Sequence, residues 1–260
     1  MSTRFKPVVG LIRSWDTKTD KWRYPVIIDN MMNLELLEWA AQHSDSTKFA
    51  KIASSHAKLT MKNHFRKDFS SYHVIGYDPE TGEIEKQNTH QGYAHESAWA
   101  RGQAWGLYGY TMMFRETGDS SYLHHAKGIA RFIMSHPNMP KDKVPYWDFN
   151  APDIPHAKRD ASAAAIMASA FIELSTLTKE EPDFSKQCLN MAEMQLRSLT
   201  SAQYLAKKGT NGGFILMHSV GNLPKGTEVD VPLTYADYYY VEALVRYKKM
   251  VLGTLKGTKN

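Results

Sequence analysis

An all-α chain, an incomplete (α/α)6 toroid of inner and outer helices with short β-strands in its long loops, is the fold class this sequence predicts. Three observations predict it. Helix-length apolar segments recur from end to end. They alternate between segments apolar nearly all round and segments apolar along one face. The connections between successive pairs are long and carry Pro, Gly and aromatic residues. A helix buried on both sides followed by a half-exposed one, repeated, is what concentric rings of helices require. A four-helix bundle has no use for two helix classes.

The elements follow in order. Residues 30–43 (NMMNLELLEWAAQH) are apolar nearly all round and read as an inner helix. Residues 47–65 carry Phe49, Ile52, Ala53, Ala57 and Met61 at helical spacing, an outer helix with one buried stripe. The next pair is 98–116, dense in Trp, Tyr and Met, and 120–136, with Leu123, Ala126, Ala130 and Ile133 on one face. A third pair is 161–177 and 184–200, the latter with Phe184, Cys188 and Met191, and a last inner helix spans 234–251. Asp29, Asp45, Asp119, Asp160 and Asp183 stand just ahead of helices, where a carboxylate accepts unpaired backbone N–H groups. The long connections are 68–96 and 137–160; within the first, Tyr72–Tyr77 reads as a strand and Asp78–Gly82 as a turn. About three and a half helix pairs are counted where a closed ring has roughly six, so residues 1–260 are expected to be a single domain forming the carboxy-terminal two-thirds of such a toroid.

Composition narrows the function classes. Of 260 residues 42% are hydrophobic and 23% charged, enough for a sizeable core. The only cysteine, Cys188, excludes an internal disulfide framework. No Cys, His and carboxylate cluster has metal-ligand spacing, and His124-His125 reads as a surface pair, so no cofactor is expected. The net charge of +5 suits an acidic partner, but no basic run marks nucleic-acid binding and no apolar run reaches membrane-spanning length. The first twenty residues lack the apolar stretch of a signal peptide. As it stands the chain reads as cytoplasmic; a periplasmic placement would require a signal ahead of it.

Eight segments carry a resemblance. They are R-x-x-P-V-V-G-L-I-R-S-W-D (Arg4–Asp16), Y-P-V-I-I-D-N-M-M-N-L (Tyr24–Leu34), S-S-Y-H (Ser70–His73), T-H-Q-G (Thr89–Gly92), W-A-R-G-Q-A-W-G (Trp99–Gly106), Y-W-D-F (Tyr146–Phe149), R-D-A-S-A (Arg159–Ala163) and D-Y-Y-Y-V-E-A-L (Asp237–Leu244). In content and order they resemble the unsaturated glucuronyl hydrolases of glycoside hydrolase family 88, over essentially the whole chain. In that family about a third of the enzyme precedes these segments and carries a second active-site aspartate with a neighbouring histidine; nothing here matches it. The resemblance therefore implies that 1–260 alone associates through uncovered flanks of the 30–43 and 234–251 helices and hydrates no substrate.

The implied substrate is an oligosaccharide ending in an unsaturated uronic acid, of glycosaminoglycan type or similar, left by a lyase. One carboxyl group protonates C4 of the C4=C5 alkene and helps water add at C5; the hemiketal then opens and expels the next sugar. By resemblance that group is Asp29. Judged as a residue alone, a capping aspartate is structural and held ionised, the wrong form for a proton donor. His73 and Gln91 match a ring-side histidine and a sugar-contacting glutamine, and Trp15 a stacking tryptophan. Arg101 and Trp105 share a helix face and would offer a cation and an indole to the uronate; Trp99 reads equally as part of a core stripe. Ser219 and Lys225, in the segment Met217–Lys225, lie where family members differ in recognising the next sugar and its sulfates, or else in a plain surface loop. Trp147, Asp160 and Tyr238–Tyr240 are explained by packing and capping.

Three other readings stand beside this one. A hydrolase of unsaturated rhamnogalacturonan shares the toroid. A non-catalytic fragment would bind uronides or a complementary chain. A toroidal lyase would create the conjugated alkene instead of destroying it, which its absorbance distinguishes.

Overall fold

The computed structural model describes residues 1–16 and 21–253. Among them are seven α-helices and seven short strands, the latter in the long connections, which makes the chain all-α in class. It divides into two compact units, Met1–Ile129 and Ala130–Asn260, the division falling inside one helix.

The first unit opens with a two-residue hairpin, β1 (Phe5–Lys6) against β2 (Leu11–Ile12). A three-stranded antiparallel sheet follows, in which β3 (Tyr24–Ile27) and β5 (Ile84–Asn88) flank β4 (Val74–Tyr77). Leu11, Val26 and Ile75 are fully buried between these layers with Tyr24 and Tyr77. The turn at Asp78–Gly82 closes with Gly82 N–H donating to the Asp78 carbonyl. The helices are α1 (Leu34–Gln42), α2 (Lys48–Asn63), α3 (Ala100–Thr117) and the start of α4 (Ser120–Ser135). Every residue of α3 from Ala100 to Met113 is buried, as its all-round apolar pattern requires. It stops at Gly118, whose φ of 70° is the left-handed cap that a side chain would resist.

Between β3 and α1 the chain makes a 3-10 turn, Ile28–Asn33, rather than starting an α-helix at 30. This turn lies hard against α3. A Cβ on Gly109 would sit 2.4 Å from Met31 Cβ, so the glycine is what permits the approach.

In the second unit α5 (Ala161–Leu177) packs against both α6 (Pro182–Leu199) and α7 (Thr234–Arg246) and is buried from Ala161 to Ser175. Asp160 caps α5, accepting the Ser162 N–H at 3.0 Å, and the same oxygen takes the Val220 N–H at 3.3 Å. That second bond ties the hairpin of β6 (Ser219–Asn222) and β7 (Thr227–Val231) to the helix start. Across α5 and α7, Arg246 pairs with the buried Glu173 at 2.8 Å. Cys188, on α6, is fully buried, and burial pushes its thiol up to about 12.

Several expectations need correction. Asp29 is no cap: it lies within the first turn of the 3-10 helix, and α1 is preceded by Asn33. Thr47 and Glu181, not Asp45 and Asp183, occupy the cap positions of α2 and α6. Asp119 does cap, accepting the Ser121 N–H at 3.0 Å. The apolar flanks of the 30–43 and 234–251 helices, by contrast, are in solvent as expected: Leu36 and Trp39 on α1, Tyr238, Val241, Leu244 and Val245 on α7. Of the pair read as surface residues, His125 is buried, its ring edge-on to Phe65 at 4.3 Å and Tyr110 at 4.5 Å.

Candidate active site

Three elements of the first unit converge on Asp29. The 3-10 turn carries the carboxyl group, β4 is preceded by His73, and the start of α3 supplies Trp99, Arg101 and Trp105. The turn is pinned to the strand side by the Ile28 N–H, which donates to the His73 carbonyl at 3.1 Å. Trp99 precedes the first residue of α3 with an extended backbone, so its indole leaves the helix axis and meets His73. The two rings stack at 4.3 Å and 29°. The Arg101 guanidinium lies over the same indole, 4.4 Å from its centroid.

The Asp29 carboxyl is walled in by these groups while its side chain keeps 21% of its surface open. Burial pushes it up to about 6; the Arg101 charge, the turn's own backbone N–H and the Trp105 indole N–H, which donates to the carboxyl, oppose that shift without cancelling it. His73 Nε2 lies 3.7 Å from Asp29 Oδ2. The His73 ring is held well below the usual imidazole range, first by burial and then by His90, Arg101 and His64. It is therefore neutral at ordinary pH. A carboxyl that titrates about pH 6, next to an uncharged imidazole and an indole N–H, can both give and recover a proton near neutrality.

An aromatic wall extends from this centre. Trp15, half-buried, meets Trp22 edge-on at 5.8 Å, and both lie near the His90 ring at 6.0 and 5.7 Å. Gln91 stands beside His90 on the loop after β5, and its backbone N–H donates to His73 Nδ1 at 3.1 Å.

Of the residues singled out from the sequence, Asp29, His73, Trp99, Arg101 and Trp105 are brought together around one carboxyl, with Trp15 on the adjoining wall and Gln91 touching His73 through its backbone N–H. Arg101 and Trp105, read as holders of the uronate, are both buried and act on Asp29 itself. Ser219 and Lys225 belong to the second unit. Ser219 is fully buried in β6, and Lys225 is exposed in the 3-10 turn Leu223–Lys225. Sequence reasoning passed over Trp22, His90 and Thr89 as individuals. The signal for His90 and Thr89 was present in T-H-Q-G; Trp22 stands between motifs and only the density of aromatic residues near it points there. Among the described residues no group of three or more His, Cys, Asp or Glu is placed to hold a metal ion.

Comparison with known proteins gives a consistent family. No family model matches the chain. An unsaturated glucuronyl hydrolase of Formosa agariphila is 50% identical over 250 residues, covering 96% of this chain and 61% of that protein. An unsaturated chondroitin disaccharide hydrolase of Streptococcus pneumoniae is 36% identical, over 95% of this chain and 61% of its own length. A crystal structure of an unsaturated glucuronyl hydrolase specific for heparin superposes with a TM-score of 0.91 at 53% identity, covering 96% of this chain and 66% of that one. The chain thus spans about three-fifths of the length of the curated relatives it matches.

Proposed function

The chain belongs to the unsaturated glucuronyl hydrolases, whose fold is the α/α toroid, and from that we propose that its site hydrates the C4=C5 alkene of a terminal unsaturated uronic acid. The carrying observation is Asp29, a carboxyl brought to about 6 by burial and met by a neutral imidazole and an indole N–H. Protonated Asp29 donates to C4, and positive charge develops at C5, shared with the ring oxygen. Water attacks C5 and passes its proton back to the Asp29 carboxylate, restoring the acid. The C5 hemiketal opens by cleavage of its C5–O5 bond, giving a ketone at C5 and a hemiacetal at C1. The hemiacetal then collapses to an aldehyde, breaking the bond to the next sugar, which leaves as an alcohol. One carboxyl serves as acid and then as base, so no paired-carboxylate spacing is required of this step.

Arg101 and Trp105 favour the ionised carboxyl that exists between the two transfers. Trp15, Trp22 and His90 form an aromatic wall suited to a sugar ring. The related proteins name heparin and chondroitin disaccharides as targets. This supports a lyase-cut glycosaminoglycan as the source.

The experiment is loss of the conjugated alkene's absorbance, measured on the full-length protein with and without Asp29→Asn. Asparagine keeps the shape and loses the proton. Turnover is expected to fall by well over ten-fold, a ten-fold loss being about 1.4 kcal/mol of barrier. A variant that keeps more than about a tenth of the rate removes Asp29 from the proton transfers.

A further inference from the structure

The inference rests on the reading of Asp29 as the proton donor and concerns how the group beside it is held. His73 Nδ1 receives two backbone N–H groups, those of His90 at 3.2 Å and Gln91 at 3.1 Å, with the Thr89 hydroxyl 3.4 Å away. A neutral imidazole has one N–H and one lone pair. A nitrogen that faces two fixed N–H donors must present the lone pair, which puts the ring proton on Nε2. That nitrogen lies 3.7 Å from Asp29 Oδ2, a buried oxygen with no hydrogen-bond partner.

The donors come from a tight turn with its own fastenings. Thr89 Oγ1 accepts the Gly92 N–H at 2.8 Å, and the Thr89 N–H donates to His95 Nδ1 at 3.1 Å. Stacking on Trp99 fixes the plane of the His73 ring. We propose that the Thr89–Gly92 turn is a tautomer lock, holding His73 as a neutral Nε2–H donor aimed at Asp29, with Thr89 a positioning residue for the hydration.

The opposite tautomer would turn a lone pair on the carboxylate, and an imidazolium would hold Asp29 ionised. Only the Nε2–H form steadies the carboxylate between transfers without preventing its reprotonation. The distance shortens to a hydrogen bond when the carboxylate forms. Besides Asp29, the charged or titratable groups facing His73 are His90, Arg101 and His64, all of which disfavour a second ring proton.

The test is nitrogen-15 NMR of histidine-labelled full-length protein at neutral pH, with His73→Gln to identify the resonances. Expected are an unprotonated, hydrogen-bonded Nδ1 and a protonated Nε2 for His73, unchanged in Asp29→Asn. Thr89→Val should admit the second tautomer and lower kcat about ten-fold with KM within about two-fold, and Thr89→Ser should restore both. An Nδ1–H or doubly protonated His73 in the unmodified protein overturns the proposal, and that spectrum needs no variant to fold. Loss of kcat in Thr89→Val with the tautomer retained also overturns it, since the threonine would then act only on the fold. Activity surviving in Asp29→Asn with the tautomer as expected sinks the reading of Asp29 and leaves the lock standing.

Discussion

At the scale of single residues, Asp29 is held in an environment that suits its neutral form. Its carboxyl titrates about 6 when folded, against 3.8 ordinarily. The fold therefore prefers the protonated group, a preference fully present below pH 3.8 and lost as pH rises through about 6. Above that the folded protein carries a buried charge costing roughly 3 kcal/mol, two pKa units at 1.36 kcal/mol each. Asp29→Asn should accordingly raise the melting temperature at pH 7–8 while abolishing turnover, and the gain should vanish near pH 4. Equal melting temperatures at both pH values would show the carboxyl is not strained. Trp105→Phe removes an N–H that favours the carboxylate, so the limb on which activity declines with rising pH should move upward. A limb that stays put would mean another group sets it. Sequence reading reached the members of this cluster through their motifs but not what they do to one another. Arg101 and Trp105 share a face in either account, and only the packing of the 3-10 turn on α3 decides that the face looks inward to Asp29.

At the scale of elements, the carboxyl's position depends on a close approach between a 3-10 turn and α3. Gly109→Ala would push a methyl to within 2.4 Å of Met31 Cβ, two residues along the chain from Asp29. A stability loss of about 1–3 kcal/mol is expected from such overpacking, with a larger fractional loss of kcat than of substrate affinity. Denaturant titration with steady-state kinetics measures both; an unchanged midpoint would place the slack elsewhere. The helices α3 and α5 were legible because an all-round apolar pattern leaves little alternative to burial. The 3-10 turn was not. I-D-N-M-M-N has the composition of a helix start, and the change of pitch comes from docking on α3, which no local pattern carries. The capping expectation held at Asp119 and Asp160 and failed at Asp29, Asp45 and Asp183, where one or two residues of offset separate a cap from a first-turn acid or a loop residue.

At the scale of the whole molecule, three buried neutral histidines besides His73 set an acid limit. His56, His64 and His125 are brought to about 3, 4 and 4 by burial above all, against 6.5 ordinarily. The unfolded chain takes these protons near pH 6.5 and the folded one does not. Stability is therefore complete above 6.5 and declines as pH falls toward 3. Urea unfolding at pH 7 and pH 5 should show a lower midpoint at pH 5. The exposed apolar residues of α1 and of α7 are patches of the kind that mark interfaces. Purified 1–260 should elute as an associated species on size exclusion; a dilute and a concentrated sample both running as monomer would count against it.

The lone thiol in the second unit also has a kinetic consequence. Cys188 is fully buried and its acidity is suppressed, so an aromatic disulfide reagent in solution finds neither a surface nor a thiolate to attack. Its labelling then becomes a clock for how often α6 parts from its neighbours. If reclosing outpaces the chemistry, the rate scales with reagent concentration and reports the population of the open form; at high reagent it levels off at the opening rate itself. With a single reactive sulfur there is no second signal to subtract, and a colour change read over hours measures the opening of one helix in an otherwise unlabelled protein.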